Sequence, residues 1–169
     1  WVHLAVTRTN NTIRYFINGK LDSTTVSNSL TLTNPSGVVI GSSPNNNYIY
    51  NFTGFIQDLR IFNQCNHTTD FIPPTAPTSS SGTSLHLKGT DASIIDKSQG
   101  ANLKLFGNTT GSTTQAKFSN TKSMYFGGET SGDYIQVMST DEQLNLGKDP
   151  FTIEAWVFPN GAIGNNTLL

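Results

Sequence analysis

The sequence predicts an all-β protein, a two-sheet antiparallel sandwich, on three observations. Apolar and polar residues alternate with period two in short runs, from Trp1 to Val6, from Ile13 to Ile17 and from Phe151 to Phe158, so each run has one face for a core. Turn residues separate the runs at the short spacings of a sandwich; Asn18-Gly19 is the clearest, because a tight type I′ turn needs positive φ. No stretch of the first half repeats with helical period.

The first strand is Trp1 to Val6, and Thr9-Asn10-Asn11-Thr12 turns it into the second, Ile13 to Ile17. Leu21 to Val26 and Leu30 to Thr33 are short strand candidates, Val38 to Ile40 is an apolar run between glycines, and Pro44 to Asn47 is a loop. From Phe52 to Asn63 strict alternation puts Phe55, Gln57, Leu59 and Ile61 on one face and Ile56, Asp58, Arg60 and Phe62 on the other.

Between Ile72 and Thr83 the composition shifts to PPTAPTSSSGT, where prolines cannot donate to a ladder and Ser and Gly loosen the chain, as in a linker. A second β-rich block follows, with runs at Ser84 to Lys88, Leu103 to Phe106, Ser123 to Phe126, Tyr134 to Met138 and Phe151 to Phe158. In the last run Phe151, Ile153, Ala155 and Val157 share one face, with Glu154, Trp156 and Phe158 opposite. Asp141 to Leu146 suits a single helical turn, and Leu168-Leu169 reads as an incomplete strand.

Trp-x-His-x-Ala-x-Thr-Arg at 1–8, Tyr-Phe-Ile-Asn-Gly-Lys at 15–20 and Gly-Phe-Ile-Gln-Asp-Leu-Arg-Ile-Phe-Asn at 54–63 resemble the central hairpin and closing strand of laminin-G-like domains of the concanavalin A-like jelly-roll superfamily. The second block is similar to the opening half of such a domain, through Leu-His-Leu-Lys-Gly-Thr-Asp at 85–91, Ser-Met-Tyr-Phe-Gly-Gly at 123–128, Gly-Asp-Tyr-Ile-Gln-Val at 132–137 and Phe-Thr-Ile-Glu-Ala-Trp-Val at 151–157. The resemblance therefore implies a jelly roll in inverted order. Residues 1–72 are the carboxy-terminal half of one module, 73–83 a Pro/Ser/Thr linker and 84–169 the amino-terminal half of the next. A window on a tandem array is the expectation and a circular permutant the rival. Each half then needs a complement, from its own chain or another copy.

Charged residues make up 12% and the formal net charge is −1, which excludes a strong field for phosphate backbones, so nucleic acid is not an expected partner. No apolar run approaches bilayer length, so membrane insertion is not expected. Cys65 is the one cysteine and has no intrachain partner. The chain starts inside a meander without a Met, as in a processed or excerpted piece.

Jelly-roll glycosidases need paired carboxylates on one strand, two apart, and no strand here carries such a pair; nor do Ser, His and acid fall into a recognisable triad, so no catalytic residue is assigned. His3 and His86 lie on strands, where packing is the expected role. No cofactor is required. Calcium, which many laminin-G-like domains bind at the sandwich rim, has candidate ligands in Asp91, Asp96, Asp133 and Asp58. A carbohydrate site needs rings beside amides, and Tyr48 and Tyr50 with Asn46 and Asn47 offer that mixture. Sequons stand at Asn10, Asn51, Asn66, Asn108 and Asn165, but 18 Asn and 40 Ser plus Thr give about 4 by chance. The expected function is a non-catalytic structural or adhesion module of an extracellular filament, a cell-surface protein or a virus fibre. Its expected partners are other copies of the module and cell-surface glycans. A self-contained carbohydrate-binding lectin-like domain, with or without calcium, is the alternative and a jelly-roll glycan hydrolase the third reading.

Overall fold

A computed structural model describes residues 1–27, 31–32, 37–43, 50–98, 100–138 and 144–160. Twelve strands are described: β1 (Val2–Thr9), β2 (Thr12–Ile17), β3 (Lys20–Ser27), β4 (Val38–Ile40), β5 (Thr53–Phe62), β6 (Leu85–Thr90), β7 (Ser93–Asp96), β8 (Asn102–Phe106), β9 (Thr110–Ser112), β10 (Ser123–Gly127), β11 (Tyr134–Met138) and β12 (Phe151–Pro159). They form two antiparallel sheets in a sandwich, the expected all-β jelly-roll class. The larger sheet runs β3-β2-β1-β12-β5 and then divides. β10 pairs with Thr53 to Ile56 and leads on to β9, while β6 pairs with Leu59 to Ile61 and leads on to β7. The smaller sheet is β4-β11-β8.

Both opening turns form for the reason read in the sequence. Asn10 and Asn11 sit at φ 48 and 60, and Asn18 and Gly19 at 51 and 75, the paired positive values of type I′ loops. Gly19 has a further reason: a Cβ there would lie 2.0 Å from the Phe71 carbonyl oxygen.

β5 departs from strict alternation. Its register against β12 slips between the Arg60–Glu154 and Gln57–Trp156 pairs, and Asp58, at φ 57, lies within the slip. The extra residue of this bulge reverses the parity of the strand. Ile56 therefore joins Leu59 and Ile61 in the core, whereas alternation alone groups Ile56 with Asp58, Arg60 and Phe62. The bulge falls where the sheet divides.

The core lies between the smaller sheet and the centre of the larger one, with Ile40, Ile135 and Val137 on one side and Ile56, Leu59, Ile61, Leu87, Met124, Phe126, Ala155 and Val157 on the other. Burying side chains of this size stabilises by roughly 1.5–3 kcal/mol each. Cover thins toward β2: Leu4 and Ile153 are partly buried against the core, but Tyr15 and Ile17, in register with Val6 and Leu4, are 39% and 51% exposed.

Strands of 1–72 and 84–160 interleave. β12 lies between β1 and β5, and β4 pairs with β11, so the complement expected for each half is present within this chain. The segment read as a linker is bound to the sheet, because its polar groups meet partners on β5 and β6. Of the other expected elements, Leu32 makes only an isolated bridge to Gly147, while 141–143 and 168–169 lie outside the described residues.

Candidate functional site

The outer face of the larger sheet, away from the core, carries buried polar groups covered by the connector 63–84 between β5 and β6. Glu154 is 4% exposed and binds Arg60 at 2.8 Å, and His67 Nε2 lies 3.3 Å from its other oxygen. Burial opposes the Glu154 charge, but the bond from His67 and the Arg60 guanidinium hold its carboxyl below the usual range. His3 is buried beside it. Burial lowers its pKa from 6.5 to about 4, against the pull of Glu154 and with help from Arg60. His67 stacks on Phe71 with ring centroids 3.6 Å apart, and Phe71 meets the edges of Phe16 and His3.

Further along, Asp58 is the anchor. Its side chain accepts from the Thr78 N–H at 3.0 Å, the Thr78 hydroxyl at 2.7 Å and His86 Nε2 at 2.7 Å, with Lys88 Nζ 3.4 Å away. Burial alone would raise its pKa; the bonds from His86 and Thr78 and the Lys88 charge outweigh that and hold it far below the carboxylate range. Lys88 also donates to the Thr78 carbonyl at 2.9 Å. With Nε2–H committed to Asp58, His86 Nδ1 accepts from the Ser80 hydroxyl at 2.8 Å.

Serine, histidine and acid are thus brought together, which corrects the expectation that they do not assemble. The three residues are scattered in sequence and share no motif. The imidazole of His86 is wholly buried, and its hydrogen bonds tie the connector to the sheet.

Beside this anchor lies a groove of about 450 Å³. Gln57, Asp58 and Lys88 contribute to its lining, together with Pro77 of the connector and Asn120, Thr121 and Lys122 from the segment before β10. Gln57 holds that segment in place by donating to the Thr121 hydroxyl at 2.7 Å and accepting from the Lys117 N–H at 2.8 Å. At the rim Lys122 binds the exposed Asp91 at 2.6 Å. Gly89 lets β6 approach β10 here, since a Cβ would fall 2.2 Å from the Ser123 carbonyl oxygen. The groove therefore offers cations, carboxylates, an amide and hydroxyls together. On the same outer face Trp1, Phe158, Phe55 and Tyr125 form a row of rings with centroids 5.6, 6.2 and 5.3 Å apart.

Residues 1–69 match the Laminin_G_3 model of the concanavalin A-like lectin/glucanases superfamily. The laminin-G-like resemblance of the opening hairpin and of β5 falls within this match. No curated protein and no solved structure matches the chain.

In this sandwich no three of the four aspartates converge. Among the described residues no three His, Cys, Asp or Glu side chains group to hold a metal. Asp96 accepts from the N–H groups of His86, Ser98 and Ala101, and Asp133 from those of Asn108 and Gly127. Asp58 and Asp91 have the partners given above. Of the proposed sugar site, Tyr50 is half-buried, and Asn46, Asn47 and Tyr48 lie outside the described residues. Among the sequons, Asn10, Asn66 and Asn108 are exposed, Asn51 is buried with its carboxamide oxygen 2.5 Å from the Ser42 hydroxyl, and Asn165 lies outside the described residues. Cys65 is half-buried, its thiol 3.4 Å from the His67 carbonyl.

Proposed function

We propose that the chain acts by binding rather than by turnover, as an adhesion or structural module of an extracellular filament, a surface protein or a virus fibre built from tandem laminin-G-like repeats. The polar groove carries this reading. Its mixture of donors and acceptors suits a hydroxyl-rich ligand such as a cell-surface glycan, and Trp1, Phe158 and Tyr125, the half-buried rings of the row on the same face, supply surface of the kind that packs on sugar rings. Laminin-G-like domains are typically extracellular, and among the described residues no helix is long and apolar enough to cross a membrane. The non-catalytic reading is supported by Asp58 and Glu154, the acids that β5 and β12 place on the outer face, which are buried under the connector and bonded to protein donors.

A self-contained lectin is the second reading, favoured by a groove built within one chain. Neither reading needs a cofactor, so calcium enters as an assay condition. Binding to immobilised glycans is measured with and without calcium, for the native chain and for Asn120→Ala and Lys122→Ala. Saturable binding weakened about tenfold by either substitution is expected, the value of one good polar contact. No binding up to roughly millimolar glycan, an affinity near −4 kcal/mol, overturns the glycan assignment.

A further inference from the structure

Ile61 of β5 and Leu85 of β6 are direct neighbours in the sheet, yet the chain takes the 22 residues 63–84 to join the two strands. A hairpin needs about 2–5. Fully extended, such a connector reaches about 70 Å, many times the spacing of adjacent strands.

The strand pairings raise the same point. Among the described residues β4 and β5 pair only with strands of the other half, β4 with β11 and β5 with β12, β10 and β6. β1 reaches the core sheet only through β12. Ile40, Phe52, Ile56, Leu59 and Ile61 from the first half meet Leu85, Leu87, Met124 and Phe126 from the second, so the surface between the halves is the core itself. A second copy presenting the same strands would satisfy every one of those pairs, and only the path of the connector would change.

We propose that this surface is also the assembly surface between copies, with β1 and β5 of one copy receiving β12 of another. The proposal rests on the tandem-repeat reading above and gives it a structural means. Closed and exchanged forms share their strand pairs, so the balance is set by the connector and by concentration. Closure keeps the bonds from Thr78 to Asp58 and from Ser80 to His86, and it draws on an effective concentration in the millimolar range. Dilute free copies therefore stay closed. Copies linked in series meet at comparable local concentration and exchange.

The experiment uses the full chain with Cys65→Ser. One version carries Val6→Cys and another Ile153→Cys, residues paired between β1 and β12. Refolding is carried out reduced and oxidation follows, so that a disulfide between versions reports β1 of one copy paired with β12 of the other. Both cysteines in one chain provide the geometric control, and if that pair does not close, Leu4→Cys with Ala155→Cys replaces it. The versions are refolded together at about millimolar concentration and also fused in tandem. Disulfide-linked copies in both settings are expected, with a several-fold higher yield on Asp58→Asn or, should that variant fail to fold, Ser80→Ala. A control that closes while no link forms between copies in either setting overturns the proposal. Glycan binding by the same material separates the two ideas: binding without the link removes only the exchange, and the link without binding removes only the glycan assignment.

Discussion

The connector between β5 and β6 is fastened in two ways along its length. Residues 63–72 are held by rings, His67 on Phe71 and Phe71 against Phe16 and His3, and by bonds spread along the segment: the Thr152 hydroxyl with Gln64 and Asn66, the Thr7 hydroxyl to the His67 carbonyl, His67 to Glu154, Leu21 N–H and Lys20 to Asp70, and Phe71 N–H to the Gly19 carbonyl. Residues 73–83 contain no aromatic ring and depend on the Asp58 carboxylate and the His86 ring. Ring packing spreads its energy over many small contacts and tolerates adjustment, whereas a buried carboxylate acts through a few directed bonds and leaves costly orphans when removed. The second attachment should therefore fail all at once and the first by degrees.

Asp58→Ala tests the concentrated attachment and should have the largest effect, about 3–5 kcal/mol of stability, because His86, Thr78 and Lys88 lose a shared buried partner. Denaturant unfolding reads the loss, and limited proteolysis should cut first within 73–83. Next comes pH. His3 binds a proton near pH 6.5 unfolded but only near 4 folded, so its contribution is intact above 6.5 and falls as pH drops toward 4. The loss is about 3 kcal/mol. Asp58 and Glu154, with lowered folded values, lose stability further down as pH falls through those values. His3→Gln should flatten the profile between 6.5 and 4 in denaturation series. Phe71→Ala tests the distributed attachment; for a half-buried ring about 2 kcal/mol is expected, with new proteolysis confined to 63–72. Ser80→Ala removes one neutral bond and should cost about 1 kcal/mol, read as a small shift in the denaturant midpoint.

What the sequence revealed divides along the same line. The hairpins were readable because their causes are local: alternation on β1 and β2 and residues that accept positive φ in the turns. The β5 bulge was not, since Asp58 takes its conformation among partners 20 and 28 residues away and nothing beside it in the chain marks the parity change. Composition indicated that 73–83 forms no strand, but Thr78 and Ser80 look like any linker residues until Asp58 and His86 are placed beneath them. The aspartates carried an ambiguous signal. Asp96 followed by Ser98 can close a local turn through its carboxylate, as it does here, and the same residue types can serve calcium. The groove had no signature, because it draws on three separated stretches, 57–58, 88–91 and 113–122, together with Pro77.

The pairing of β1 with β12 bears on mechanics. Val2, at the start of β1, lies opposite Val157, near the end of β12. Tension drawn through these two points would load the ladder one rung at a time, as in opening a zip, instead of shearing all its rungs together. The module should accordingly yield at low force and lengthen early under strain, and single-molecule pulling through those positions would register the yield before β5 gives way.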